Sequence, residues 1–213
     1  GVKERILLFV SLKMQNPNIK KCSLGLCGPP GVGKTHIIRL LGKILDLPFE
    51  QISFGGMSGP EYLKGHDFTY IGSQPGEIVK CLSRMGYRNG IIFFDEFDKV
   101  SHNKNICSSL LHITDPIQNM NFRDQYLSEL KIDLSSIWFM YSMNSIPNDH
   151  ALRDRIDIIN VPGYSVREKT TIIIDYILPR NLYNLGLDSE DIKISKKTAE
   201  HLIRTKTDYK NDL

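Results

Sequence analysis

Eight consecutive residues have the types and spacing to do chemistry together: Gly28, Pro29, Pro30, Gly31, Val32, Gly33, Lys34 and Thr35. They follow the pattern G-x-x-x-x-G-K-[ST], a loop that cradles phosphates. Gly31 and Gly33 permit backbone angles that a side chain forbids, so successive N–H groups can turn toward one oxyanion. A helix opening at Lys34 would add the positive end of its dipole. Lys34 would then reach the β- and γ-phosphates of ATP, and the Thr35 hydroxyl would ligate Mg²⁺. The plain alternative is a surface turn. The flanks favour the phosphate loop, because Leu24-Gly25-Leu26-Cys27 reads as a strand. Behind the loop, Ile37, Ile38, Leu40, Leu41, Ile44 and Leu45 recur on one side of a helix.

The second chemical stretch is Ile91-Ile92-Phe93-Phe94-Asp95-Glu96. A continuous apolar run predicts a central parallel strand covered on both faces. Its two carboxylates fall at the C-terminal tip, where open α/β sheets hold ligands. Asp95 would hold Mg²⁺, directly or through water, and Glu96 would polarise the water that attacks the γ-phosphate. Asn144 ends another apolar strand, Ser136 to Ser142 with Met143 following. It is either a hydrogen-bond donor to the γ-phosphate or attacking water, or a turn-forming Asn. Leu152-Arg153-Asp154-Arg155 is either a surface ion-pair cluster or an arginine finger offered to a neighbouring subunit's nucleotide. Tyr70 and Ile71 sit beside Gly72 with no periodic partner, so they either fold back onto the core or form a gripping loop.

Several elements must position these residues. The pattern predicts a helix over Val2 to Met14 with Ile6, Phe9, Val10 and Lys13 on one side, broken by Asn16-Pro17-Asn18. Asp46-Leu47-Pro48 should end the helix after the phosphate loop, and Phe49 to Phe54 should form the second strand. A short helix is expected over Pro60 to Lys64, an exposed loop over 65–72 and a helix over Glu77 to Met85. Ser108 to Ile113 should be helical, and Ile117 to Ile132 has no clear pattern. Ile156 to Val161 should be the last strand. Pro162-Gly163 reads as the boundary between domains 1–162 and 163–213, with 1–20 an N-terminal helix and linker. Ser165 with Glu168 predicts a capping box for a helix running to about Leu178, where Pro179 should stop it. Ser195 should cap a last helix carrying Ala199, Leu202 and Ile203.

The chain has 213 residues and is 41% hydrophobic, enough for one core or one core with a small satellite. A net charge of +3 gives nucleic-acid binding little support without excluding it, and Lys20-Lys21 and Lys196-Lys197 read as solvated surface. No apolar run approaches a membrane span and no signal-peptide pattern opens the chain. The four cysteines, Cys22, Cys27, Cys81 and Cys107, form no Cys-x-x-Cys, and the six histidines pair at no metal-ligand spacing. Buried thiols suit a soluble protein of a reducing intracellular compartment, cytoplasm or mitochondrial matrix alike. A chain opening at Gly1 rather than Met is expected to be a piece of a longer one.

The series of motifs resembles the ATPase module of the Lon family of ATP-dependent serine proteases, within the AAA+ class. The residues that carry it are the phosphate loop, Ile52-Ser53-Phe54-Gly55-Gly56, Gly65-His66 with Thr69-Tyr70-Ile71-Gly72, and Asp95-Glu96-Phe97-Asp98-Lys99. Asp115-Pro116 with Gln118-Asn119, Leu152 to Arg155, and Pro162-Gly163-Tyr164 complete it. The Gly-His and Thr-Tyr-Ile-Gly pair is far more specific to that family than the phosphate loop. The resemblance implies an α/β P-loop fold: a five-stranded parallel sheet with helices on both faces, then an α-helical lid, here incomplete. It implies Tyr70 and Ile71 as the substrate-gripping pore loop, Asn144 as the sensor of γ-phosphate, Arg155 as the finger acting in trans, and Tyr164 as lining for adenine. It also implies ATP and Mg²⁺, a ring usually of six subunits, and unfolded or damaged polypeptide as the substrate. Its departures are also informative. His112 stands where the family has Glu, the loop after Lys99 is shorter, and Arg204 does not match the second sensor, which would lie beyond Leu213. The family's Ser in a Gly-Pro-Ser-Ala-Gly setting is not among these residues, so the chain alone is expected to cut no peptide bond. Two other readings accompany the protease motor: a non-proteolytic remodelling ATPase, and a nucleotide switch that acts as an assembly module.

Overall fold

The computed structural model describes residues 1–16, 23–56, 59–67, 69, 71–188 and 191–206. The chain divides into two compact units, one of Gly1–Cys27 with Lys34–Val161 and one of Gly28–Gly33 with Pro162–Leu213.

The first unit is built on five parallel strands: β1 Ser23–Cys27, β2 Phe49–Ser53, β3 Gly90–Asp95, β4 Ile137–Met143 and β5 Ile156–Asn160. Their spatial order is β2-β3-β4-β1-β5. The central strands β1, β3 and β4 are apolar on both faces, as a doubly covered parallel sheet requires. Register brings their C-terminal ends together: Cys27 lies opposite Met143 and Asn160, Ser53 opposite Asp95, and Phe94 opposite Tyr141.

One face is covered by α1 Val2–Gln15 and α2 Lys34–Ile44. The buried residues of α1 are Ile6, Phe9, Val10 and Lys13, the predicted side, and Phe9 meets Trp138 edge-on at 6.2 Å. Arg5 ties α1 to β5, donating to Asp157 Oδ1 at 3.1 Å and Ile158 O at 3.0 Å. In α2 the expected apolar face is narrower: Ile38 and Leu41 are buried, while Leu40 and Ile44 are exposed. Gly42 faces the sheet instead, close against Ile91 and Phe49, and its lack of a side chain lets the helix lie near β3.

The opposite face packs on α4 Glu77–Met85 and α5 Lys104–Thr114. Between them sits an aromatic cluster in which Phe94 lies 5.0 Å from Tyr141, 5.5 Å from Phe54 and 5.9 Å from Phe139. Phe97 adds an edge contact to Tyr141 at 5.3 Å. Each fully buried ring of this kind contributes about 1.5–3 kcal/mol, so the floor beneath the β3 tip is stiff. α5 begins four residues before the predicted start. Asn103 caps it, its side chain accepting from Asn105 N at 3.0 Å and Ile106 N at 3.3 Å.

Between α3 Glu61–Lys64 and α4 the chain makes an arm with a narrow neck. Gly65, at φ 80°, crosses Gly76 so closely that a Cβ on Gly76 would fall 2.2 Å from Leu63 O. The wholly buried Asp124 pins the neck. Its Oδ2 accepts from Gly76 N at 2.8 Å, and its Oδ1 from Tyr126 N at 2.9 Å and Leu127 N at 3.2 Å. This accounts for much of 117–132, which also carries a bridge between Phe122 and Ile132.

In the second unit, α7 Val166–Ile172 opens on the predicted capping box, Ser165 Oγ accepting from Glu168 N at 3.3 Å and Glu168 Oε2 from Ser165 N at 2.7 Å. The helix does not stop at Pro179. It passes through a π-type turn, Ile173–Ile177, into α8 Leu178–Asn184. Leu178 N donates to Ile173 O, five residues back, and this widening makes room for a ring that lacks an N–H and would otherwise meet a carbonyl. The last helix, α9 Lys196–Lys206, is capped by Ser195, whose Oγ accepts from Thr198 N at 3.1 Å. It buries Ala199 and Ile203 but leaves Leu202 exposed.

Candidate functional site

Four of the residues singled out for chemistry meet at the tips of β1, β3 and β4. Lys34 Nζ donates to Asn144 Oδ1 at 3.0 Å, and Thr35 Oγ1 donates to Asp95 Oδ2 at 3.3 Å. Lys34 is only 8% exposed. Burial pushes its ammonium below the ordinary lysine range, opposed by the nearby Cys27, Asp98 and Asp95. A buried cation of this kind gains from a polyanion placed beside it.

Both oxygens of Asp95 accept hydrogen bonds. Oδ2 also accepts from Gln51 Nε2 at 2.8 Å, and Gln51 Oε1 accepts from Arg39 Nη2 at 2.9 Å. Oδ1 accepts from the Ser142 hydroxyl and from Glu96 N, the latter at 3.1 Å. Glu96 is one of two residues other than glycine with positive φ among those described (φ 59°, ψ 40°). A left-handed backbone costs a side-chain-bearing residue about 1–2 kcal/mol. It turns the chain sharply after β3 and frees the Glu96 carboxylate from the strand; there it pairs with Lys99 at 3.0 Å. Asn144 is held from below, its N donating to Asp98 Oδ1 at 2.9 Å.

The Thr35 hydroxyl and the Asp95 carboxylate are adjacent hard oxygen donors, which fits Mg²⁺. Among the described residues no three His, Cys, Asp or Glu side chains could cage a metal by themselves. Mg²⁺ is commonly held by one or two protein oxygens together with phosphates and water.

The phosphate loop, Gly28 to Gly33, falls in the other unit. Gly31 and Gly33 have φ of 78° and 84°, the left-handed angles expected of them. In that same unit Tyr164 donates its hydroxyl to Val32 O at 3.1 Å.

Arg155 is not in the cluster. It ends α6 His150–Arg155 at the start of β5, where Ile156 lies opposite Ser23, whereas the β5 tip lies opposite Cys27. At about 3.3 Å per residue the two ends of that strand are roughly 15 Å apart. The guanidinium is held by Leu111 O at 2.8 Å and Asp115 Oδ2 at 2.7 Å. Ile71 is fully exposed, and Tyr70 lies outside the described residues, as do Lys20, Lys21, Cys22 and Leu213. Cys27, Cys81 and Cys107 are buried free thiols. No described helix is long and apolar enough to cross a membrane.

Gln51, Ser142 and Asp98 were not anticipated as site residues. Ser142 carried a faint signal as a polar residue near the end of an apolar strand, and Asp98 as a carboxylate three residues past the end of another; Gln51 carried none.

Residues 24–164 match the family described as ATPase family associated with various cellular activities (AAA). Over 209 residues the chain is 40% identical to the Lon protease of Lawsonia intracellularis, covering 97% of this chain and 25% of that protein. The Lon protease of Desulfovibrio desulfuricans is 38% identical over 209 residues, 97% of this chain and 24% of the relative. That of Xanthomonas oryzae is 37% identical over 205 residues, 95% and 24%. The chain thus spans about a quarter of the length of these curated relatives.

Proposed function

The chain belongs to the AAA family of ATPases, and from that premise we propose that it is the ATP-driven motor of a Lon-like protease, unfolding polypeptide and translocating it through a ring of subunits. The observation that carries the reading is the convergence of Lys34, Thr35, Asp95 and Asn144 at one set of strand tips. Lys34 would contact the β- and γ-phosphates in place of Asn144 Oδ1, while the amides of the Gly28 to Gly33 loop bind phosphate oxygens. Thr35 and Asp95 would hold Mg²⁺, which when bound neutralises charge on the phosphates.

Glu96 accepts a proton from the attacking water and aims it at the γ-phosphorus. Asn144 orients that water or the γ-phosphate. Tyr164 lines the adenine pocket. Arg155 completes the site of a neighbouring subunit, because its own chain keeps it at the far end of β5. In related phosphoryl-transfer systems such a finger contributes about 10³–10⁵ in rate. Ile71, on the arm that Asp124 pins, would grip polypeptide together with Tyr70. Residues 1–162 would be the nucleotide-binding domain and 163–213 the beginning of its lid.

Glu96→Gln tests the chemistry. ATP binding should stay within about two-fold of wild type, and turnover should fall by roughly 10²-fold or more. Normal phosphate release by that variant removes Glu96 from its role.

A further inference from the structure

Ser142 is 2% exposed, is the last residue but one of β4, and makes two hydrogen bonds of opposite sense beside the β3 tip. Its hydroxyl donates to Asp95 Oδ1 and its oxygen accepts from Glu96 N at 3.1 Å. The Glu96 N–H is shared between that oxygen and Asp95 Oδ1. One small side chain therefore ties together the two carboxylate residues with the most different tasks. Asp95 must present a fixed oxygen toward Thr35. Glu96 must hold a left-handed turn so that its carboxylate leaves the strand in one direction.

We propose that Ser142 is a positioning residue for the hydrolysis step: its hydroxyl sets the rotation of the Asp95 carboxylate and locks the Glu96 backbone turn. The proposal rests on the roles given above to Asp95 and Glu96. With the hydroxyl gone, Asp95 Oδ1 loses a charge-assisted partner, and Glu96 N keeps only one of its two acceptors, Asp95 Oδ1. Asp95 is then held by Gln51 and Thr35 on Oδ2 and by Glu96 N alone on Oδ1, a looser grip on its last torsion. The Glu96 turn, already costly, loses one of its two restraints.

The isosteric pair Ser142→Thr and Ser142→Val separates the hydroxyl from its volume, and Ser142→Ala covers the case in which neither larger side chain packs. Ser142→Val and Ser142→Ala should lower kcat about ten-fold or more, since a charge-assisted hydrogen bond corresponds to about that factor, with nucleotide affinity in the absence of divalent metal unchanged. Ser142→Thr should retain kcat within about three-fold. A readout independent of turnover is Mn²⁺ affinity by electron paramagnetic resonance, with a non-hydrolysable ATP analogue bound. It should weaken several-fold in Ser142→Ala and Ser142→Val while the melting temperature stays within a few degrees. Glu96→Gln runs beside them. Loss of turnover in Glu96→Gln together with wild-type kcat and Mn²⁺ affinity in Ser142→Ala overturns the positioning role but leaves the motor reading intact. Equal kcat near the wild-type value in the Thr and Val variants also overturns it. Normal turnover in Glu96→Gln instead removes Glu96 from the role given to it above, on which the proposal rests.

Discussion

Asp124 lies wholly inside the protein, yet among the described residues it takes part in no ion pair; its carboxylate accepts three backbone N–H groups. Replacing it with Ala leaves the Gly76 N–H buried without an acceptor, at about 1–3 kcal/mol. It also removes the turn bonds to Tyr126 and Leu127, which are nearer to water and together contribute about 1 kcal/mol. The expected loss is therefore about 2–4 kcal/mol. Asp124→Asn keeps one acceptor oxygen and should lose roughly half as much, because its NH₂ group must face one of the donors. Urea unfolding followed by tryptophan fluorescence reads the loss through Trp138 of the same unit. Amide exchange locates it: Gly76 should exchange at least ten-fold faster in the variant, with amides in β1, β3 and β4 following only the global change. A loss below 1 kcal/mol, or a Gly76 amide whose protection is unchanged, would refute the view that Asp124 pins the arm.

Arg155→Ala should cost about 1–3 kcal/mol through the lost contacts to Asp115 and Leu111. It should also lower ATP turnover only at protein concentrations where subunits associate. Turnover measured against concentration checks this, and an equal loss in dilute monomer contradicts a finger acting in trans. Burial pushes the Cys81 thiol up to about 12 and the Cys107 thiol up to about 11, against an ordinary value of 9.0. The folded chain holds these protons more tightly than the unfolded one, so the two thiols' contribution to stability should be flat below pH 9 and fall between about pH 9 and 12. A thiol reagent at pH 8 should label both cysteines only as fast as the chain opens; faster labelling contradicts their burial.

What could be read without coordinates was whatever is written in local spacing. The phosphate loop, the apolar run ending in Asp95 and Glu96, the buried side of α1 and the Ser165–Glu168 box are all contiguous patterns. What could not be read depends on which strands lie side by side. Gln51, Ser142 and Asp98 reach Asp95, Glu96 and Asn144 only through the registers of β2, β3 and β4, separations of tens of residues that carry no periodic signal. Leu40 and Ile44 misled because a helix on a sheet buries a narrower stripe than its apolar residues suggest, especially where Gly42 brings the backbone close. Pro179 misled because a π-type turn ahead of a proline relieves the clash that ordinarily ends a helix.

The central claim is that the cluster around Lys34 takes the phosphates of ATP. Titrating the chain with Mg·ATP and following heat or intrinsic fluorescence tests it most directly. The expected result is one saturable site per chain, weakened at least ten-fold by Lys34→Ala, since a charge-assisted contact to phosphate is lost. The absence of a saturable signal, or an affinity indifferent to Lys34→Ala, would contradict it.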